Sequence, residues 1–240
     1  AAHRRRARNP SPGHSAQPAS GIGKVMFRDI LRLPIGVLVL SLCMGLGTSA
    51  ATVAVAVTSL AGEQLAPDRS LATVPYGLQF VALMGSAVPL TMLMARVGRK
   101  PVNILASLFG VGAGLVSALS VATESFVLLC AGHMMLGIFL AGLASLRFAA
   151  IDRSPADLRE MAISLALFGG VLAGFLGPTL ARSAGVVFPF EGFIAPYLML
   201  GFVCGIVAVI LVFLPFPNDA ETVREAQAAK QQARDEGRNV

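Results

Sequence analysis

The sequence predicts an all-α membrane protein built on six transmembrane helices, and three observations predict it. Hydrophobic residues make up 55% of the 240 residues and charged residues 13%, with mean hydropathy +0.73. That is more apolar surface than a soluble domain of this length can hide. Six runs carry no charge, 33–62, 70–95, 101–123, 125–146, 161–181 and 192–218; each is long enough for the roughly 20 residues that cross a hydrocarbon core of about 30 Å. None alternates with period two as the strands of a membrane barrel do, so the backbone polar groups have to be satisfied inside helices.

The elements follow in order. Residues 1–33 form a basic arm, "AHRRRARNPSPGHSAQPASG", whose Pro, Ser and Gly content predicts disorder. His3 and His14 fall in it. The first helix is expected at 34–60; its apolar run is about twice a signal-peptide core, so it is not read as a cleaved leader. The second, at 72–95, carries Gln79 and Pro89 and ends in "ARVGRKPV". The third, at 101–122, contains "GVGAG"; with no strand before it and no P-loop Lys after it, this is a packing stretch, not a nucleotide loop. The fourth, at 125–149, holds Cys130, His133 and Met134. The fifth, at 161–181, contains "GFLGPTLA", and the sixth is expected at 193–215. These helices make one transmembrane domain, 34–215. Residues 216–240 form a polar, helix-prone tail of alternating charge, read as a cytoplasmic cap or a linker between two halves.

Charge sets the orientation. Assigning alternate loops to opposite sides places 17 of the 19 Lys and Arg residues on one side, within 1–33, 96–100, 147–160 and 219–240, and leaves Arg69 and Arg182 on the other. The positive side faces the cytoplasm, which puts both termini inside, in a multi-pass protein of the cell membrane. The net charge of +6 is thereby explained by the bilayer, with anionic lipid as a contact for the arm; nucleic acid is not expected as a partner. Cys43, Cys130 and Cys204 all lie inside expected helices and form no disulfide framework.

The turn between the second and third helices narrows the class. "TMLMARVGRKPV" resembles the signature G-x-L-x-D-R-x-G-R-[RK] of the major facilitator superfamily at Leu93, Arg96, Gly98, Arg99 and Lys100. Thr91 stands where the family has Gly, and Ala95 where it has Asp. "RFAAIDRSPADLREMA", with Asp152 and Arg159, resembles the family's next cytoplasmic loop, and "GFLGPTLA" its Gly-Pro segment in the fifth helix. The resemblance covers about 25–215. It implies a half-transporter folded as two inverted three-helix repeats, with Pro89 and Pro178 at matching depth in helices 2 and 5. It also implies that Arg96, Arg99 and Asp152 act in gating at the cytoplasmic face, Asp152 being the expected partner of the arginines. The missing acid at Ala95 implies that the family's carboxylate latch is absent or rebuilt from another group.

Polar or soft groups at mid-depth are the candidate site, since polar groups inside a membrane are functional by default. His133, Met44 and Gln79 are the candidate substrate contacts. Cys43, Met44, His133 and Met134 are soft donors of the kind that suits Cu(I), and the chain also looks similar to the copper-importing branch of the family. Packing is the bland alternative for each of them. Cys204, on a helix expected to face lipid, is excluded.

No catalytic constellation is visible and no cofactor is expected, so the chain is not read as an enzyme. The expected function is secondary transport of a small solute or metal ion by alternating access, copper being one candidate. The competing reading is a non-transporting membrane scaffold or assembly factor, because polar groups on the cavity-facing helices are few. One half cannot enclose a path, so a second six-helix half is expected: the same chain beyond Val240, a homodimer mate or a partner subunit.

Overall fold

The computed structural model describes residues 33–152, 154–190 and 192–214; the basic arm, the polar tail and Glu191 lie outside that range. The described residues form six long helices and no strand: α1 (Ile35–Leu65), α2 (Val74–Val97), α3 (Arg99–Ala122), α4 (Phe126–Asp152), α5 (Arg159–Val187) and α6 (Ile194–Phe213). All six are long and apolar enough to cross a bilayer. Four helices outrun their expected ends: α2 by two residues, α4 by three, and α1 by five and α5 by six, passing Glu63 and Arg182. A charge marks the edge of the hydrocarbon, not the end of a helix. In α1 the first breaker is Pro67, and Glu63 lies 3.4 Å from Arg69.

The reversal between α2 and α3 takes a single residue. Gly98 has φ +94° and is at once the cap of α2 and the residue before α3. Only glycine adopts that conformation without strain, and its N–H still closes on Met94 O at 3.0 Å. Pro101 then falls in the first turn of α3, where its missing N–H costs nothing. Within the helices, Ser41, Thr48, Ser49, Thr52 and Thr58 of α1 each turn the hydroxyl back to the carbonyl four residues earlier. This hides five polar groups from lipid on a helix that also packs at the centre.

The same helix pairs touch after exchange of the two helix triplets, although the extents of contact differ. α1 packs most extensively on α5, and α4 packs extensively on α2; α3 packs on α6, α1 also meets α4, and α4 packs more on α3 than α1 does on α6. Swapping α1 with α4, α2 with α5 and α3 with α6 maps this pattern onto itself, as inverted repeats require. The prolines agree: Pro89 lies eight residues before the end of α2 and Pro178 nine before the end of α5. Each has a glycine four residues earlier, Gly85 and Gly174, with open space where a Cβ would stand. The carbonyls of these glycines are the ones each proline ring crowds, and among the described residues neither glycine serves a close helix crossing.

Glycine also sets the close crossings. A Cβ on Gly45 would stand 3.2 Å from Gly169 O, one on Gly114 would stand 2.7 Å from Tyr197 O, and one on Gly137 would collide with the Gln79 carbonyl. The α1–α5, α3–α6 and α2–α4 pairs therefore approach backbone to backbone. Two faces stay uncovered. The apolar span of α1 is 61% buried, but that of α2 is 11% and that of α5 is 22%. Met84, Val88 and Met92 on α2 and Val171 and Phe175 on α5 are exposed.

Candidate functional site

The signature turn builds its own cluster. Gly98 delivers Arg99 to the first position of α3, where its guanidinium donates to Asp152 Oδ2 at the last position of α4. The two side chains are 39% and 59% exposed, so water and salt screen the pair. One turn into α3, buried Asn103 donates from Nδ2 to Arg99 O at 3.0 Å and accepts at Oδ1 from Ser145 Oγ of α4 at 3.0 Å. An ion pair and an amide tie thus lock α3 to α4. Arg96, in the last turn of α2, is exposed and forms no ion pair among the described residues.

Beside this lock is a cavity of about 400 Å³ between α2, the start of α3 and α4, lined in part by Thr91, Ala95, Arg99, Ser145, Arg147 and Phe148. Arg147 is its notable member. Its Nε is buried without a hydrogen-bond partner among the described residues, and its guanidinium carbon lies 5.1 Å from the centroid of the Phe148 ring.

The second cluster is interior. His133 of α4 is 1% exposed. Nδ1 lies 2.9 Å from Leu129 O and Nε2 lies 2.6 Å from Thr58 Oγ1 of α1. Since a carbonyl only accepts, Nδ1 carries hydrogen; Nε2 of the neutral ring is then an acceptor, and the single Thr58 hydroxyl hydrogen is divided between it and Ala54 O. Thr58 Oγ1 also lies 2.6 Å from Ala54 O and accepts from Tyr197 OH of α6 at 3.4 Å. The Tyr197 ring meets the imidazole edge to face at 6.1 Å. Three helices thus meet at one hydroxyl. Gln79 of α2 is 2% exposed and packs at the Gly137 crossing, and among the described residues its Oε1 has no partner.

The soft donors are differently placed. Cys43 is fully buried and Met44 is 9% exposed, both in the main apolar core. Met134, next to buried His133, is 44% exposed, and Cys130 is half-buried. Among the described residues no three of His, Cys, Asp or Glu gather as a metal site. Nothing here supports copper as the substrate. Cys204 corrects an expectation: it is fully buried, not lipid-facing, because Gly110 of α3 leaves room for its sulfur, 2.8 Å from where a Cβ would stand.

Sequence reasoning placed Arg99 beside Asp152, and the structure pairs them. It missed Thr58 and Tyr197, which lie 75 and 64 residues from His133 along the chain and carry no motif. It missed the Asn103–Ser145 tie, and it counted Arg147 only as one more positive charge.

A six-helix membrane bundle with inverted-repeat packing and this cationic turn defines half of a facilitator-type carrier. The Major Facilitator Superfamily model matches residues 37–237, and the chain belongs to that family. It is a multi-pass membrane protein. It is 29% identical over 178 residues to the riboflavin transporter RfnT of Brucella anthropi, a match covering 74% of this chain and 44% of that protein. The chain thus spans less than half the length of the curated relative it matches. No solved structure matches.

Proposed function

We propose that the chain is the N-terminal half of a secondary transporter that moves a small solute by alternating access, with both termini in the cytoplasm and a second six-helix half completing the path. The observation that carries this reading is the pair of open faces: α2 and α5, equivalent under the repeat exchange, are the two least covered helices. In a facilitator the halves are related by an axis along the membrane normal, with the solute between them; uncovered equivalent faces are what such a mate needs. Arg96, Arg99 and Asp152 are assigned to the cytoplasmic gate, at the turn that carries the family signature.

Riboflavin is the solute to test first, because the relative is a riboflavin transporter by name. Its ring system is planar and uncharged, with an apolar dimethyl edge and a polar pyrimidine edge, and a site for it needs apolar surface with a few placed polar groups. Gln79 is assigned the solute contact, since its Oε1 is the buried interior acceptor without a partner among the described residues. His133 would have to release Thr58 to reach a solute, and Met44 supplies apolar surface. The test is uptake of labelled riboflavin by a riboflavin-requiring host expressing the complete reading frame. Uptake that saturates and falls in Gln79→Leu supports the assignment. Protein at the membrane with no riboflavin uptake rejects the solute; absence of uptake and of thermal stabilisation across a panel of solutes rejects transport and leaves the scaffold reading.

A further inference from the structure

We infer that Thr48 and Thr52 of α1 accept hydrogen bonds from a chain of hydroxyl groups on the solute, so that this half selects a neutral solute with a polyol arm. The inference rests on the transporter reading above and adds the class of group that the α1 wall recognises. α1 has two uncovered strips, and they differ in kind. Ile35, Leu38 and Leu42 are exposed, and all are apolar. On the second strip Thr48 and Thr52 are half-buried and Val55 and Ser59 are exposed, so three of its four residues carry a hydroxyl. At 3.6 residues per turn the strips lie about 100° apart around the helix. Gly45 falls between them, in backbone contact with Gly169 of α5. The apolar strip suits lipid; a polar strip within a membrane span belongs on a path or a cavity.

Depth and neighbours agree with a path. α1 runs from Ile35 to Leu65, so Thr48 and Thr52 stand on either side of its midpoint, Ala50, at the depth where a facilitator holds its solute. The strip lies between α4, which α1 meets at Gly47, and α5, which it meets at Gly45 and where Thr52 packs on Gly177. Of the five α1 hydroxyls that turn back to a carbonyl, Ser41, Ser49 and Thr58 are buried, which leaves Thr48 and Thr52 within reach.

The hydrogens decide what the strip can recognise. Thr48 Oγ1 donates to Met44 O at 2.7 Å, and Thr52 Oγ1 donates to Thr48 O at 2.9 Å. With its hydrogen in use, each oxygen is left as an acceptor. Gln79 Oε1, assigned to the solute above, is an acceptor too. No charged residue lies between Ile35 and Gly62, so nothing on this wall calls for an ion. A solute held here therefore brings donors and no net charge. The two threonines are one helical turn apart, about 6 Å along the axis. A flavin imide has a single N–H and can serve one of them. A ribityl arm carries hydroxyls along its length and can serve both.

The test is competition for uptake of labelled riboflavin by the complete protein in a riboflavin-requiring host. The competitors are unlabelled riboflavin and lumiflavin, which keeps the ring and its N–H but has a methyl group in place of the ribityl arm. Wild type is expected to favour riboflavin about tenfold or more, from two hydrogen bonds at about threefold to tenfold each. Thr48→Val and Thr52→Val are each expected to cut that preference about threefold to tenfold, through weaker inhibition by riboflavin and unchanged inhibition by lumiflavin. Thr48→Ser and Thr52→Ser should keep it. The preference is a ratio within one variant, so loss of folded protein does not move it. Should a valine variant fail to insert, Thr48→Ala or Thr52→Ala takes its place. Riboflavin uptake with equal inhibition by both flavins in wild type, or with an unchanged preference in the variants at both positions, overturns the inference alone and returns the strip to packing or lipid. A wild type that refuses riboflavin but takes up another polyol-bearing solute, with affinity lost in both valine variants, sinks riboflavin alone. Uptake of no polyol-bearing solute sinks both.

Discussion

Thr58→Val is the substitution that best tests how the bundle centre is held. The change is close to isosteric and removes one hydroxyl. That oxygen lies 2.6 Å from His133 Nε2 and 3.4 Å from Tyr197 OH. Without it, a fully buried imidazole acceptor and a buried phenol are left unanswered, with no water in reach at 1% and 0% exposure. In soluble proteins an orphaned buried group costs about 1–3 kcal/mol. Interhelical hydrogen bonds in membranes average about 0.6 and reach about 1.7 kcal/mol. The short Nε2 contact belongs near the upper membrane value, and the long Tyr197 contact adds a few tenths, so the expected loss is about 1–2 kcal/mol. For a domain of this size that is a fall in Tm of about 2–8 °C. The assay is thermal unfolding in mild detergent of wild type, Thr58→Val, His133→Phe and the double variant. Losses of the two single variants that add within about 0.3 kcal/mol would refute the coupling, and a Tm within about 1 °C of wild type for Thr58→Val would refute the network itself. Transport that tracks the folded fraction in all three variants would identify the three-helix junction as structural.

Other outcomes are expected at the membrane surfaces. Arg99→Gln or Asp152→Asn should slow uptake by the complete transporter while costing no more than about 1 kcal/mol, since the pair is exposed to water; the charge-swapped double variant should recover uptake, and wild-type rates in both single variants would remove the gating role. Cysteine at Glu63 should label from outside sealed right-side-out cells and cysteine at Lys100 should not; labelling at position 100 would invert the orientation.

The helices were legible because each span is free of charge, a property that survives any detail of packing. Their ends were less so: Glu63 and Arg182 stop the apolar count, yet the backbone of α1 and α5 continues to the next breaker or cap. The Arg99–Asp152 pair was legible from the signature and the topology together. Faces were not. A helix apolar all round carries no stripe to say which side packs, so Cys204 was assigned to lipid although Gly110 lets α3 cover it. For the same reason His133 could be placed in depth but not given Thr58 and Tyr197 as partners. Arg147 shows a further limit, because the positive-inside rule explains its charge so well that its buried, unpartnered Nε passes unnoticed.

The close crossings constrain how such a half can move. Gly45 against Gly169, Gly137 against the Gln79 carbonyl and Gly114 against Tyr197 and Gly201 bring three helix pairs to backbone contact. The Thr58 junction and the Asn103–Ser145 tie then pin α1 to α4 and α6, and α3 to α4. Close-packed contacts of this kind are bistable at best and do not deform continuously. Sliding one helix past another inside the bundle would drive a side chain into a crossing where not even a methyl fits. The compliant places are elsewhere: the uncovered faces of α2 and α5, and the Gly85–Pro89 and Gly174–Pro178 segments within them, where the ladder is already interrupted and a Cβ would meet open space. Under the proposed transport cycle, motion between alternating states belongs at the junction with the proposed second half, with α1, α3, α4 and α6 carried as one body.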